Sequence, residues 1–183
     1  GVAGLVSAYF LNRAGYRCTV FEAGGPALDH AASHVAGGML APYCELETAE
    51  ALVSDLGEES FSVWPEIAAE LGGDVFLQQK GTLILAHPQD RPELERLWKR
   101  LETAGKGPEV RYLDSRELAQ MEPALAGRFH QGLFLNAEGQ LDPRSLLPAL
   151  AGYLQAAGVD IRFNCRVEAT TDTSLTIDGE TYH

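Results

Sequence analysis

The first 22 residues contain the feature that most restricts how this chain can fold. They read as two spaced glycines, an apolar stretch and a short β-rich run that ends in an acid. The pattern predicts a helix over residues 5–14, stopped by Gly15, and a strand over residues 18–22. A helix, a tight turn and a strand in this order are the second and third parts of a βαβ nucleotide-binding unit. We expect the first part, an apolar strand with the leading glycine of Gly-x-Gly-x-x-Gly, just before Gly1.

The spacing of the glycines and the acid fits a dinucleotide site. Gly1 takes the place of the second glycine, where the backbone approaches a pyrophosphate, and Gly4 that of the third, where helix and strand pack closely. Glu22 follows Gly4 by 18 residues, near the roughly 20 expected for the acid that accepts hydrogen bonds from ribose hydroxyls. Its charge disfavours a 2′-phosphate, so NADP is the least favoured ligand. The alternative is a glycine-containing helix start with an incidental glutamate.

Charge and cysteine content exclude several classes of function. The 14 Lys and Arg against 26 Asp and Glu give a net charge of −12, and nucleic-acid binding requires clustered basic residues. Cys18, Cys44 and Cys165 are too widely spaced for a disulfide framework or a zinc site. No apolar run approaches the roughly 18 residues of a membrane span, and no signal peptide opens the chain. These features predict a reduced, cytoplasmic, globular protein.

A second segment rich in small residues leads to a family resemblance. Residues 31–42 read Ala-Ala-Ser-His-Val-Ala-Gly-Gly-Met-Leu-Ala-Pro, which suits backbone N–H groups lying against a flat ligand. With Gly1-Val2-Ala3-Gly4 and Phe21-Glu22, this segment resembles the FAD-dependent amino acid oxidases of the D-amino acid oxidase superfamily, most closely the glycine oxidases of thiamine biosynthesis. Family members usually carry a third small residue at Gly37 and often a basic or small one near His34, so the subfamily stays open.

The resemblance implies contacts to the adenosine and phosphate part of FAD. The residues concerned are Gly1, Val2, Ala3, Gly4, Glu22, Ala23, Ala32 and Ser33. Val2–Ala3 is expected beneath the pyrophosphate and Glu22–Ala23 at the adenosine ribose. Ala32–Ser33 is expected at the phosphate–ribityl region. The alternative for Ser33 is the N-cap of a following helical turn, and both roles are compatible.

The resemblance also implies contacts to the flavin ring and the adenine. Gly37, Gly38 and Met39 are expected to border the isoalloxazine ring, and Met39 also to face the substrate pocket. The alternative for Met39 is a side chain that fills a gap in the core. Val167 is expected to hold the adenine edge through its backbone, with its side chain facing the core of a strand.

The remaining chain predicts an α/β fold: a Rossmann-like FAD-binding domain interrupted by part of an α+β substrate domain. Residues 1–72 and 138–183 are expected to form the cofactor domain, and residues 73–137 the first part of the substrate domain. The predicted helices cover residues 47–71 (divided near Pro65), 88–104, 115–121 (with a capping box at Asp114 and Glu117) and 144–157 (with Asp142 as N-cap). Two predicted strands, residues 74–78 and 82–86, are expected to pair with each other. Further strands are predicted over residues 110–113, 131–135, 159–163 and 166–170. The chain is expected to end in a hairpin around Asp178-Gly179.

By resemblance, the intact protein moves hydride from the α-carbon of glycine or a similar small amino acid to flavin N5. The imine then hydrolyses to a keto or glyoxyl acid and ammonia, and oxygen reoxidises the flavin to give peroxide. The alternatives are another D-amino acid or sarcosine-type oxidase or dehydrogenase, and an NAD-binding or other nucleotide module without flavin.

The 183 residues are expected to be the N-terminal portion of that protein, without its first strand and its C-terminal half. No catalytic residue is therefore assigned within them, and they are expected to be inactive alone and to bind FAD weakly. No metal site is expected, because His30 and His34 flank a loop without acidic or cysteine partners. Uncovered apolar faces leave self-association into a homo-oligomer open.

Overall fold

The structure is a computed structural model that describes residues 1–47, 50–72 and 75–182. The helices are α1 (Val2–Arg13), α2 (Ala32–Val35), α3 (Ala51–Phe61), α4 (Trp64–Glu70), α5 (Arg91–Thr103), α6 (Ser115–Met121) and α7 (Pro143–Ala156). The strands are β1 (Thr19–Phe21), β2 (Met39–Leu40), β3 (Leu77–Gln78), β4 (Thr82–Leu85), β5 (Val110–Asp114), β6 (Gln131–Leu135), β7 (Gly139–Leu141), β8 (Asp160–Arg162), β9 (Val167–Thr170), β10 (Leu175–Ile177) and β11 (Glu180–Tyr182). Short 3-10 turns cover Cys44–Glu47, Pro88–Asp90, Gly107–Glu109 and Pro123–Leu125.

The chain divides into two compact units. Unit 1 contains Gly1–Gly38, Ile67–Phe76 and Leu141–His183. Unit 2 contains Met39–Glu66 and Leu77–Gln140. Unit 2 is therefore inserted into unit 1 along the sequence, and unit 1 is assembled from three separate segments.

This division differs from the predicted one for the segment Met39–Glu66, which the sequence places in the cofactor domain. The segment belongs to unit 2 because its contacts are made there. Met39 lies opposite Gln140 in the antiparallel pairing of β2 with β7. Glu58 of α3 forms an ion pair with Lys106.

Unit 1 contains a parallel strand pair, as is typical of an α/β fold. β1 pairs with β8, and Val20 lies opposite Ile161. A parallel pair requires a long crossover, in contrast to the short turn of a hairpin. Helices α1 and α7 pack together. Their apolar faces form the core of this unit through the buried residues Leu5, Ala8, Tyr9, Leu146, Leu147, Leu150 and Leu154.

Turn residues end the elements of unit 1 where the sequence predicts. Helix α1 ends at Arg13, and Gly15 takes a left-handed φ of 88° after it. Asp142 caps α7 by accepting a hydrogen bond from the N–H of Arg144. Strands β10 and β11 form the predicted antiparallel hairpin, in which Asp178 and Gly179 both have positive φ. Positive φ at both central residues is typical of a type I′ turn.

Unit 2 is built on an antiparallel sheet with strand order β4-β6-β5. Helix α5 packs on this sheet with one apolar face and leaves its charged residues in solvent. The cluster of buried residues between them consists of Tyr43, Leu94, Leu97, Leu101, Val110, Leu133 and Leu135.

The predicted pairing of the two strands around Lys80 and Gly81 is wrong. β3 lies in a sheet of order β2-β7-β3, whereas β4 pairs with β6. Gly81 has a φ of 89° and donates its N–H to the carbonyl oxygen of Glu138 at 2.9 Å. The chain therefore leaves one sheet and enters another at this glycine instead of forming a hairpin. The predicted start of the first strand, Asp74, lies outside the described residues.

The predicted helix over residues 47–71 is divided as expected, but its apolar face is only partly buried. Helix α3 ends at Phe61 and α4 begins at Trp64, next to Pro65. Leu52 and Leu56 of α3 are 62% and 56% exposed. The helical spacing correctly indicated one apolar face, but spacing alone does not show what covers it.

Candidate dinucleotide site

Glu22 follows directly after β1, and each oxygen of its carboxylate has one partner. Only 9% of the residue is exposed. Its Oε1 accepts a hydrogen bond from the N–H of Gly24 at 2.9 Å, and its Oε2 lies 3.3 Å from the backbone nitrogen of Gly1. The acid predicted at the ribose thus lies beside the start of α1. A buried carboxylate persists where such donors replace water.

Two backbone hydrogen bonds hold the loop after β1 against the loop after β8. The N–H of Cys165 donates to the carbonyl oxygen of Glu22 at 2.9 Å, and the N–H of Asn164 donates to that of Gly24 at 2.8 Å. Asn164 takes a left-handed φ of 56° to make this contact. The sequence did not indicate these partners, although Asn is enriched among the non-glycine residues that take this conformation.

The N-terminus of α1 is capped by a side chain from another segment. The N-cap Gly1 supplies no side chain, and the first turn contains no acid. Ser33 Oγ instead accepts a hydrogen bond from the N–H of Val2 at 3.0 Å. Ser33 lies within α2, whose N-cap is Ala31. The hydroxyl therefore caps α1, and the predicted alternative, a cap on the helical turn after Ser33, is not what the structure contains.

Gly1 and Gly4 differ in their surroundings. A Cβ added at Gly1 would lie 3.1 Å from Ser33 Oγ, whereas a Cβ at Gly4 would meet no described atom within 4 Å. Within the described residues, the close packing predicted at Gly4 is therefore not observed. Gly4 instead lines a groove of about 510 Å³ between α1 and β1, together with Ala8, Val20 and Val167.

Val167 is the first residue of β9 and is 36% exposed. Its side chain lines the groove beside Gly4 and Phe21, so the expectation that it faces the core is wrong. The reason is that β9 pairs only with β10 among the described strands, and all four of its residues are exposed. The predicted main-chain contact of Val167 stays a prediction.

The small-residue segment contains one glycine that the fold itself requires. Gly38 has a φ of 70°, and a Cβ there would lie 1.8 Å from the carbonyl oxygen of Leu141. A Cβ at Gly37 would meet nothing within 4 Å. Gly38 also accepts a hydrogen bond from the N–H of Leu141 at 2.8 Å. The fold alone accounts for glycine at position 38, and a cofactor contact is an additional role.

The remaining predicted contact residues are accessible. Ala3, Ala23, Ala32 and Gly37 are exposed. Met39 belongs to unit 2 and is 58% exposed, so it does not fill a gap in the core. It lines a cavity of about 200 Å³ within that unit, with Pro42 and Glu45 among the other lining residues.

The structure shows three further facts about ligands and location. The three cysteines are free. Among residues 1–47, 50–72 and 75–182, no group of three or more His, Cys, Asp or Glu side chains is arranged to hold a metal ion. In the same ranges, no helix has the length and apolarity needed to cross a membrane.

The arrangement in unit 1 fits a dinucleotide cofactor. The N-terminus of α1 offers backbone donors and a positive dipole end without a competing acid in its first turn. Glu22 supplies a carboxylate beside it, as the ribose of such a cofactor requires. The bare backbone at Gly1 and the hydroxyl of Ser33 complete the predicted phosphate side. The parallel strands, α1 and Glu22 define a dinucleotide-binding α/β protein.

Comparison with known proteins narrows this class. The chain belongs to the FAD dependent oxidoreductase (DAO) family, whose sequence pattern matches residues 1–182. It is 40% identical over 178 residues to the Rhizobium etli protein named "Putative thiamine biosynthesis oxidoreductase ThiO", covering 97% of this chain and 51% of that protein. The family and its cofactor, FAD, agree with the resemblance inferred from the sequence.

Two solved structures have the same fold. Glycine oxidase from Geobacillus kaustophilus superposes with a TM-score of 0.84 and 28% identity, over all of this chain and 50% of that one. Glycine oxidase from Bacillus cereus ATCC 14579 superposes with a TM-score of 0.79 and 20% identity, over 99% of this chain and 51% of that one. The chain therefore spans about half the length of these relatives, and the expected fold class, a Rossmann-like FAD-binding domain interrupted by part of a substrate domain, is confirmed.

Proposed function

We propose that this chain supplies the adenosine- and phosphate-binding part of an FAD-dependent amino acid oxidase that acts on the carbon–nitrogen bond of glycine or another small amino acid. The observation that carries the proposal is the buried Glu22 carboxylate, whose Oε2 lies 3.3 Å from the backbone nitrogen of Gly1 at the start of α1. The names of the Rhizobium relative and of the two glycine oxidases support glycine as substrate and thiamine biosynthesis as the setting. Oxygen is the proposed second substrate, and the cytoplasm the proposed location.

Glu22 has the central role in cofactor selection. Its carboxylate accepts hydrogen bonds from the ribose hydroxyls, with Ala23 beside it, and its charge repels a 2′-phosphate. Gly24 and Gly1 orient the two carboxylate oxygens through the contacts described above. The protein thus selects FAD over a 2′-phosphorylated dinucleotide through one fixed charge.

Phosphate binding is assigned to backbone groups. Because the N–H of Val2 donates to Ser33 Oγ, the proposed phosphate donors of the first turn of α1 begin at the N–H of Ala3, while Val2 lies beneath the pyrophosphate and Gly1 and Gly4 leave the backbone uncovered. Ser33, with Ala32, contributes its hydroxyl from α2. Because Ser33 Oγ already accepts from Val2, it holds the first turn in place before any ligand binds.

Gly37, Gly38 and Met39 are assigned to the flavin side of the site, and Val167 to the adenine side through its main chain. FAD supplies the hydride acceptor of the reaction when it is bound. The protein residues orient the cofactor and limit access of water. Met39 presents an exposed, flexible apolar side chain, which suits contact with a small substrate.

The reaction is tested on the full-length protein that carries this sequence. We expect the visible absorbance of bound flavin, and peroxide release that is faster with glycine than with D-alanine or sarcosine. Faster release with D-alanine or sarcosine favours the alternative D-amino acid or sarcosine-type oxidase. Reduction of an artificial acceptor without peroxide release favours a dehydrogenase. A colourless protein that binds NAD would contradict the proposal.

The role of Glu22 is tested separately by FAD titration of the same protein. Glu22→Ala removes a charged hydrogen-bond acceptor, a change that costs about 1.5–3 kcal/mol per bond, so we expect FAD affinity to fall by roughly tenfold or more. Asp29→Ala is the matched control, because Asp29 is an exposed acid in the same loop region. Equal FAD affinity in the two variants would show that Glu22 does not contact the cofactor.

A further inference from the structure

Unit 2 contains a buried carboxylate that the sequence did not indicate. Glu138 lies in the turn between β6 and β7 and has 0% exposure. Its side chain contacts the backbone of Tyr43 and Cys44, which lie shortly after the predicted flavin-side residue Met39. We call residues 39–44, from Met39 to Cys44, the Met39 segment.

Strand pairing fixes the first end of the Met39 segment. Met39 lies opposite Gln140, and Leu40 lies opposite Gly139. β7 has a second neighbour, β3, on its other side. A Cβ at Gly139 would lie 2.4 Å from the carbonyl oxygen of Gln78, so β7 is closely confined between its neighbours.

Glu138 fixes the other end of the same segment. Its Oε1 accepts hydrogen bonds from the N–H groups of Tyr43 at 3.0 Å and of Cys44 at 2.8 Å. Its Oε2 accepts a hydrogen bond from the thiol of Cys44 at 3.1 Å. Burial, and secondarily the charge of Glu138, raise the pKa of Cys44, so its thiol stays protonated and keeps donating. The two backbone donors also lie at the start of the 3-10 turn Cys44–Glu47.

The position of the segment and the burial of the carboxylate depend on each other. A buried carboxylate is costly unless hydrogen-bond donors replace its hydration. In the part of the chain that the structure describes, the donors to the Glu138 carboxylate are two backbone N–H groups and one thiol, all from Tyr43 and Cys44. If the segment moved away, the carboxylate would lose its donors. If the carboxylate were removed, the N–H groups of the buried Tyr43 and the partly buried Cys44 would lose their acceptor.

We propose that Glu138 is a positioning residue, whose buried carboxylate holds the Tyr43–Cys44 end of the Met39 segment and thereby sets where Met39 is presented. The intervening Ala41 and Pro42 line the same cavity as Met39 and transmit the constraint, since the proline ring fixes its own φ. The relevance of this position to catalysis rests on the proposed function, which assigns Met39 to the flavin and the substrate. The positioning itself involves residues of unit 2 alone.

The composition of the chain allows a direct test by NMR. The chain contains two methionines, Met39 and Met121, so labelling the methionine methyl groups with carbon-13 gives one reporter and one internal reference. In Glu138→Ala we expect the Met39 methyl signal to shift, with the Met121 signal unchanged. Glu138→Gln retains an oxygen that can accept both N–H groups, so we expect its Met39 signal to return to the wild-type position.

Glu109→Ala is the matched control. This variant removes the same charge from unit 2. Glu109 Oε2 accepts a hydrogen bond from the side-chain amide of Asn136 at 2.7 Å, and Asn136 lies outside the Met39 segment. We expect no shift of the Met39 signal in this variant. An unshifted Met39 signal in Glu138→Ala, or an equal shift in Glu109→Ala or Glu138→Gln, would overturn the proposal.

Two further measurements separate this role from general loss of folding and from the proposed function. A shift of the Met121 signal in Glu138→Ala would indicate a general loss of folding. In that case Glu138→Asp serves as the test variant, because its shorter side chain keeps the charge but withdraws the carboxylate from both N–H groups. A Met39 shift alone in Glu138→Asp supports the proposal, and its absence overturns it. Failure of the full-length protein to bind FAD or to release peroxide refutes the proposed function but leaves these shifts unchanged.

Discussion

Gly37 and Gly38 are adjacent in the sequence, but the fold requires only one of them to be glycine. Gly38 combines a left-handed φ of 70° with a carbonyl oxygen, that of Leu141, where a side chain would begin. Gly37 has neither constraint. Glycine at position 38 is therefore explained by the backbone, whereas glycine at position 37 is left to the proposed contact with the cofactor. The sequence alone could not distinguish these two reasons.

We expect Gly38→Ala to lower the free energy of unfolding by about 1–3 kcal/mol, because a Cβ in this position is both strained and overpacked. Gly37→Ala is the matched control, with an expected change within about 0.5 kcal/mol. Urea denaturation of the 183-residue chain measures both. If the two variants unfolded at the same urea concentration, the close approach of residue 38 to the carbonyl oxygen of Leu141 would be contradicted.

Some of the candidate site could be predicted at the level of residues. The spacing of Gly1, Gly4 and Glu22 is itself a local sequence pattern, and it predicts an acid near the start of α1. The structure places Glu22 there. The cap supplied by Ser33 could not be predicted, because Ser33 is 31 residues from its partner Val2. The contacts of Glu138 were missed for the same reason. Hydrogen bonds of this kind depend on tertiary structure and leave no local sequence pattern.

Helix α6 shows how completely a local pattern can determine an element. Asp114 Oδ1 accepts hydrogen bonds from the N–H groups of Arg116 and Glu117, and Glu117 Oε2 accepts one from the N–H of Asp114. This is the capping box that the sequence predicts at these positions. The helix is short, so its first turn carries much of its stability.

We expect Asp114→Ala to lower the free energy of unfolding by about 1 kcal/mol, within the 0.5–2 kcal/mol typical of a lost N-cap. Asp114→Asn retains a side-chain oxygen that can cap the helix and serves as the matched control. Thermal unfolding followed by circular dichroism measures the difference. An Asp114→Asn variant as unstable as Asp114→Ala would show that the charge and not the cap stabilises this helix start.

The strands were harder to predict than the helices because pairing partners are distant in sequence. The position of β4 was nearly correct, yet its partner is β6, with Leu83 opposite Phe134. The sequence between β3 and β4 permits a hairpin, and only the hydrogen bond from Gly81 to Glu138 shows that the chain changes sheets there. The same holds for helix α3, because the spacing of Leu52 and Leu56 does not show that both side chains are exposed.

At the scale of the whole molecule, one carboxylate of unit 1 connects residues of three helices. Glu70 of α4 accepts hydrogen bonds from the hydroxyl of Tyr9 in α1 at 2.8 Å and from that of Tyr153 in α7 at 3.0 Å. It also forms an ion pair with Arg13 of α1. The hydrogen bond from Arg13, followed by those from the two tyrosines, lowers the pKa of Glu70.

This lowered pKa predicts a specific dependence of stability on pH. A group whose pKa is depressed by folding stabilises the native state above its unfolded pKa and loses that effect as pH falls through its folded value. We expect wild type to have a higher Tm than Glu70→Gln at pH 7, and the difference to shrink as pH falls from about 4.3, the unfolded pKa of a glutamate, through the lower folded pKa of Glu70. Glu66→Gln, which removes the same charge from the same helix, is the control. If the difference in Tm persisted unchanged at acidic pH, ionisation of the Glu70 carboxylate would not be its cause.

The insertion of unit 2 into unit 1 has a consequence for the order in which the newly synthesised chain can fold. Thr19 of β1 pairs with Asp160 of β8, whereas the sheet of β4, β5 and β6 is complete by Leu135. At a translation rate of about 5–20 residues per second, β1 waits roughly 7–28 s on the ribosome for its partner strand. Strand β1 is thus synthesised before the sheet of β4, β5 and β6 but pairs with β8 only after that sheet is complete, and during that interval its apolar residues are open to chaperones.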